Sequence, residues 1–480
     1  MKLARRAALA LVLWWTADWA ALRLWMWSPV FVRYSYGAAF RVFEMYSFTH
    51  AVALLAIGVV LWPWFRQWKQ GFYPLAVFLV LGFVYLSLFE KFAKPSYDYG
   101  AWYNGMISQV LHGDPYSGNP NVSPIYWYPP ALSQLMAGWR WLADHFYPYT
   151  RAMDGSHRQT LDHIVFYTFQ CAQFTMLMIL YWLTYAWGRR LKMDRRAAAL
   201  ASGFLLLFNV PLLRLLGFHQ PNLWLVNSIL VILLFSERLP WLAGLALGVG
   251  FHMKLYPAIL GLPLLLVWRW RPILWAGLFT VLIFLAQCWA SGWDVWQKFL
   301  GYISDPPIGS FFRDNSLHAI AKNILKLFDA VEYENALWGL FLCAALGWML
   351  LRMARREREL RPLRRQPGAE GAWAREFYFY EQVMDTLVMS FFLSPQVFEH
   401  HYVMAIPIML WTWLVWGSRA PVQVLVGSLL ILLIPIYDVG PLSWNRIAGL
   451  LVLTLARPVG YRPPPEGHLP VPALPYPSEI

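Results

Sequence analysis

The sequence predicts an all-α polytopic membrane protein, and three observations carry that prediction. Only 14% of the 480 residues are charged, where a soluble domain carries about 25%. Apolar residues make up 59% and aromatic residues 18%, with 29 tryptophans among them. The apolar residues are also gathered into runs of the length that crosses a bilayer, about 20 residues for a helix. A soluble globular enzyme, a disordered chain and a disulfide-stapled secreted domain are excluded, because none of them could hide so much apolar surface.

In chain order the candidate spans are 7–27, 48–64, 72–89, 164–187, 197–216, 222–235, 241–253, 255–268, 273–291, 335–352, 377–395, 402–416, 421–437 and 443–456. Several fall short of a full crossing and read as broken or re-entrant segments. About eleven to fourteen true spans are expected. The opening Met1-Lys2-Leu3-Ala4-Arg5-Arg6 reads as the start of an uncleaved first helix in preference to a signal peptide, since apolar character runs on to Trp27 without a small-residue cleavage site. Cys171, Cys288 and Cys343 each lie inside an apolar stretch with no metal-ligand spacing. They are expected to pack as small hydrophobes.

Charge placement sets the orientation. With the N-terminus inside, one parity puts Arg66 and Lys69, then Arg189 to Arg196, then Arg269 and Arg271, and finally the cluster from Arg352 to Arg365 on the cytoplasmic side, as the positive-inside rule requires. The net charge of +13 is thereby assigned to topology and not to nucleic acid. Both termini fall in the cytoplasm, in a multi-pass protein of the cell membrane. A single transmembrane domain, 1–457, carries two large extracytoplasmic loops, 90–163 and 292–334, and a short outer turn near 396–401. The tail 458–480 holds eight prolines and reads as extended. A loop of more than about 70 residues exceeds what a connector needs and points to function.

In the first outer loop, Pro95 ends one helix and Asp98 stands before a predicted amphipathic helix, 99–111, with Trp102, Met106 and Val110 near one face. Asp98 has two readings: the N-cap of that helix, or a general base at the membrane–water boundary, where apolar neighbours tune a carboxylate. No second acid stands within two positions, so there is no paired-aspartate metal motif. Gly113-Asp114-Pro115 is turn chemistry.

Taken in order, these pieces resemble the polyprenyl-phosphate-sugar-dependent glycosyltransferases of the GT-C superfamily, in particular glycosyltransferase family 87. That family includes mycobacterial mannosyltransferases and arabinofuranosyltransferases. The matching features are Asp98 followed by Tyr103, Gly113-Asp114-Pro115-Tyr116, and Tyr128-Pro129-Pro130. Next come Gly217-Phe218-His219-Gln220-Pro221-Asn222, similar to the family's Gly-Gln-x-Asn, and Ala243-Gly244 leading into Lys254-Leu255-Tyr256-Pro257. Asn315-Ser316-Leu317 and Ser394-Pro395 before His400-His401 close the series, which spreads over about residues 72–416. Two features depart from the pattern: two extra N-terminal spans, and His219 inside the Gly-Gln motif.

The resemblance implies a GT-C fold, an extracytoplasmic active site, a lipid-linked monosaccharide donor (mannose or another hexose, or arabinofuranose), a glycolipid or glycan acceptor, and neither metal nor cofactor. It implies Asp98 as the base in an inverting single displacement. The departing phosphate needs cations and donors. Lys254, between two apolar segments, is the clearest candidate; the other reading is a lysine that snorkels to an interface. Arg313 either assists from the second outer loop or pairs locally with Asp314. His400 and His401 bind sugar or phosphate, assist Asp98, or simply start a helix. Tyr103, His219, Gln220 and Asn222 offer groups for the donor's phosphate and sugar, while the last three could equally cap the helix starting near Asn222. His252 reads as a packed polar residue. From another class, a multi-span transporter or lipid flippase has similar composition, but it would show internal repeats and midplane ionic pairs.

Overall fold

A computed structural model describes residue 9 and residues 70–92, 96–117, 126, 128–146, 156–304, 314–394, 396–433 and 444–460. The predicted spans 7–27 and 48–64, Arg313, Pro95, Trp127 and nearly all of the proline-rich tail lie outside the described residues. Within them every regular element is helical, and the chain is an all-α polytopic membrane protein.

The helices are α1 (Tyr73–Phe92), α2 (Tyr97–His112), α3 (Ala131–Phe146), α4 (Ser156–Arg190), α5 (Arg195–Leu207), α6 (Val210–Phe218), α7 (Asn222–Phe235), α8 (Pro240–Met253) and α9 (Gly261–Leu266). They continue with α10 (Trp270–Ser291), α11 (Val295–Ser304), α12 (Leu317–Lys326), α13 (Glu334–Arg364), α14 (Gly368–Leu393), α15 (Ile406–Trp416), α16 (Pro421–Leu432) and α17 (Asn445–Leu455). Among the described residues, three helices are long and apolar enough to cross a membrane: Leu161–Arg190, Trp270–Ser291 and Val331–Arg364. The pair α5 and α6 makes a fourth only as a span bent by 54°. The predicted single segment 197–216 is thus two helices, since Asn209 caps the second by accepting from the Leu212 N–H at 2.9 Å.

The environment of these helices is inverted relative to a soluble protein. On α10, Leu274, Leu278, Val281, Leu282 and Leu285 are exposed and Trp289 is 91% exposed, a face suited to acyl chains with a tryptophan at its end. Polar residues lie inside, among them Arg356, Glu381, Asp385 and Arg446. With no water to drive helices together, close packing at small residues takes over. A Cβ on Gly244 would lie 2.4 Å from Trp275 Cβ and 2.7 Å from the Ala276 nitrogen, so the Ala243-Gly244 pair is what lets α8 lie against α10. Cys288 is buried as expected, whereas Cys171 and Cys343 are exposed; both sit on faces of long helices turned away from the bundle.

The loop helices are fastened to the bundle and not left loose on its surface. Gln109 accepts from Ser291 at 2.6 Å and Gln134 donates to the same hydroxyl at 2.5 Å, docking α2 and α3 on the end of α10. Asp114 accepts the Tyr116 N–H at 2.9 Å and pairs with Lys298 on α11 at 2.5 Å, so the Gly-Asp-Pro-Tyr turn joins the two loops predicted to lie outside. Trp102 and Met106 are buried while Val110 is exposed, so α2 is half sunk into protein. Asp314 accepts the Ser316 and Val397 N–H groups at 2.9 and 2.8 Å, so Asn315-Ser316 binds the second loop to the turn before His400.

Candidate active site at four chain breaks

Helix breaks expose backbone groups that protein or water must meet. In this chain four such breaks meet in one place: the start of α2, the turn between α6 and α7, the step after α8, and the 3-10 turn Glu399–Ala405.

The first break frees the carboxylate. The N-cap of α2 is Ser96, whose hydroxyl accepts the Tyr99 N–H at 3.1 Å. Asp98 is the second residue of the helix and not its cap, which corrects the capping reading. Its Oδ2 accepts from Gln220 Nε2 at 2.9 Å, and the same amide donates to the Tyr128 hydroxyl at 3.0 Å. Both Gln220 N–H groups are therefore used, while its Oε1 is buried without a partner. Burial pushes the Asp98 carboxyl above the usual carboxylate value, with the Gln220 amide and the Lys254 charge pulling the other way.

The second break is the motif turn. His219 ends α6 at φ 61°, a left-handed conformation that glycine adopts freely and other residues adopt at a cost. The resembled motif has glycine here. Its ring answers part of that cost: Nδ1 lies 2.8 Å from the Ser96 hydroxyl, which itself donates to the Phe218 carbonyl at 2.8 Å. Gln173 on α4 donates to the Gln220 carbonyl at 2.7 Å, holding the turn from behind. Asn222 does not cap α7 with its side chain; its amide points to the His400 carbonyl at 3.4 Å.

Lys254 is the single extended residue after α8. It is buried, its Nζ stands 3.1 Å from His401 Nε2 and 5.7 Å from the centre of the Tyr128 ring, and that ring stacks on Trp102 at 3.7 Å. It does not snorkel. Burial lowers its pKa to about 7, against the opposing pull of Asp98. His400 and His401 pack with ring centres 4.5 Å apart, and burial holds both well below the ordinary histidine value, with Lys254 reinforcing it.

Behind the histidines lies a group that sequence reasoning missed. Glu399 pairs with Arg214 on α6 at 3.2 Å and with Arg446 on α17, so one carboxylate ties the histidine turn to two helices. Its only sequence signal was an arginine inside an otherwise apolar run. The structure thus brings together Asp98, His219, Gln220, Asn222, Lys254, His400 and His401. The Tyr103 hydroxyl donates to Asp162 at 2.7 Å. His252 bonds the Thr280 carbonyl at 2.9 Å, a packed polar residue as expected. Among the described residues no group of three His, Cys, Asp or Glu side chains could hold a metal ion.

Comparison with known proteins covers part of the same elements. The model of glycosyltransferase family 87 matches residues 159–369. Over that segment the chain is similar to glycosyltransferase family 87. The matched segment contains His219, Gln220, Asn222 and Lys254, whereas Asp98 and the histidine pair lie beyond its two ends. A mycobacterial protein, the polyprenol-phosphate-mannose-dependent alpha-(1-2)-phosphatidylinositol mannoside mannosyltransferase of Mycobacterium tuberculosis (strain ATCC 25618 / H37Rv), is 27% identical over 251 residues, or 49% of this chain and 53% of its own length. The chain therefore spans about half the length of that relative. No solved structure matches it.

Proposed function

We propose that this family 87-like chain is a membrane glycosyltransferase that moves a monosaccharide from a polyprenyl-phosphate sugar to a glycolipid or glycan acceptor on the extracytoplasmic face. The observation that carries the reading is the meeting of Asp98 and Lys254 across Tyr128, a base candidate and a cation candidate held by one amide and one aromatic ring. The relative's use of a polyprenol-phosphate-linked mannose supports mannose as the first sugar to try.

In this reaction the acceptor hydroxyl attacks the anomeric carbon, the bond from that carbon to the phosphate oxygen breaks, and the hydroxyl proton goes to Asp98. With one base and no enzyme nucleophile, the transfer inverts the anomeric centre. The carboxyl's raised pKa makes it a better proton acceptor than an ordinary aspartate, and the Gln220 amide fixes which oxygen faces the site. Lys254 offsets the charge that gathers on the leaving phosphate. Tyr128 and Trp102 form a flat wall suited to a sugar ring or an isoprenoid unit.

The test is transfer from polyprenyl-phosphate mannose by the purified protein, with the product identified by mass spectrometry. Asp98→Asn keeps the shape and the Gln220 contact but removes the base, and is expected to lower the rate about 10²–10⁴-fold. A chelator is expected to leave the rate unchanged. A near-normal rate in Asp98→Asn removes Asp98 as the base; inhibition by chelator, reversed by Mg²⁺ or Mn²⁺, removes the metal-free mechanism.

A further inference from the structure

The His401 imidazole is held through both nitrogens. The Phe398 backbone N–H donates to Nδ1 at 3.0 Å, so Nδ1 presents a lone pair and a neutral ring carries its proton on Nε2. Nε2 faces Lys254 Nζ at 3.1 Å. An ammonium has three donors and no acceptor, so a charged Lys254 would set N–H against N–H. An amine has the lone pair that this contact requires. The contact is therefore that of a lysine amine accepting from His401 Nε2–H.

The surroundings of Lys254 agree. Among the groups that face it are Asp98 from α2, the Tyr128 ring, and His400 and His401 from the turn 399–405. Arg214 lies beyond His400, bound to Glu399. The Asp98 carboxylate favours the ammonium, while burial and the histidine N–H oppose it.

We propose that His401 donates a hydrogen bond to the lipid phosphate through Nε2–H, and that Lys254 takes up a proton from solvent when that phosphate binds. This rests on the reading that the donor's phosphate lies at Lys254. An arriving anion stabilises the ammonium, which can no longer accept from His401. Lysine and histidine then both turn donors towards phosphate oxygens. The proton balance is one taken from solvent per phosphate bound, with no covalent bond made or broken. His401 serves as a donor and not as a second general base, because its one free lone pair is committed to the Phe398 N–H.

The experiment uses farnesyl methyl phosphate, a diester that keeps one negative charge throughout and does not titrate. It is added to the full chain in lipid nanodiscs and followed by calorimetry in two buffers of different ionisation heat. With a lysine pKa of about 7, uptake is expected to be about 0.9 proton at pH 8 and about 0.1 at pH 6. Asp98→Asn keeps the uptake, and Lys254→Arg, charged throughout, binds without it. His401→Gln retains a donor near the Nε2 position and binds within about threefold, whereas His401→Ala loses about tenfold. Binding without proton uptake in the unaltered protein, or uptake that persists in Lys254→Arg, overturns this assignment and leaves the phosphate site standing. Absence of binding overturns the site together with the assignment.

Discussion

Two buried polar clusters sit in the same bundle and differ in one respect. Glu381 and Asp385 on α14 meet Arg352 and Arg356 from α13 and Arg457 after α17. Glu381 Oε1 accepts from the Trp411 and Trp416 indoles at 2.8 Å each, and Oε2 pairs with Arg356 at 2.9 Å and Arg457 at 3.0 Å. Asp385 pairs with Arg457 at 2.9 Å, with Arg352 at 3.3 Å, and with Arg356. Every carboxylate oxygen there is occupied. At the proposed site Asp98 accepts from one neutral amide, Lys254 faces a histidine, and Gln220 Oε1 is buried without a partner. In the first cluster every carboxylate oxygen is matched by a cation or an indole, the arrangement of a fastening; at the proposed site the carboxylate meets a neutral amide, which leaves its charge available for chemistry.

The comparison breaks most visibly through Asp385. Replacing it with Asn leaves three buried guanidinium groups against one carboxylate, and is expected to destabilise the fold by about 3–5 kcal/mol. Asp98→Asn removes a buried charge with few fixed partners and should leave stability within about 0.5 kcal/mol. Heating each variant in detergent and following the folded fraction by gel filtration measures both. If Asp98→Asn unfolds as early as Asp385→Asn, the two clusters are of one kind and the distinction fails.

Glu399 is the case that sharpens the comparison, because it is saturated like the inner cluster yet stands next to the site. Glu399→Gln keeps the shape of the side chain but strands Arg214 and Arg446, and should cost about 1–3 kcal/mol of stability. Since it holds the turn that carries His400 and His401, the proposed transfer should also fall by roughly tenfold, the size expected from a small misplacement of a positioned group. A full loss of transfer with unchanged stability would instead make Glu399 a participant in the chemistry.

The fold was legible where periodicity alone decides it. The run 222–235 appears as one helix with those bounds, and 241–253 is off by one residue. Boundaries failed where a polar side chain competes with the backbone: Asn209 splits one predicted span, and Ser96 takes the cap that one of the two readings gave to Asp98. The site residues were legible as types, since a lysine or a histidine pair between apolar runs stands out. Their meeting was not, because Asp98 and Gln220, or Lys254 and His401, are joined only by long-range packing. The basic cluster from Arg352 onwards was readable as charge placement, but nothing in its spacing reveals that Arg352 and Arg356 turn inward to two acids on the next helix. Tyr103 was legible as a candidate by its order along the chain, but not the bond of its hydroxyl to Asp162 on α4.

His219 gives the smallest expected effect and the finest test of the contrast, since it joins a strained backbone to the edge of the site. Its left-handed φ of 61° is a position for glycine, and its ring compensates through Ser96 and through edge contacts to Tyr99, 5.8 Å between ring centres. His219→Ala loses the ring and keeps the strain, which should cost about 1–2 kcal/mol. His219→Gly loses the same ring but relieves the backbone, so it should be more stable than the alanine variant by about 1 kcal/mol. Thermal unfolding of the two variants side by side isolates the backbone contribution, because the lost side-chain contacts are common to both. If alanine proves as stable as glycine, the turn is not strained, and the histidine stands in a glycine position for the sake of its ring alone.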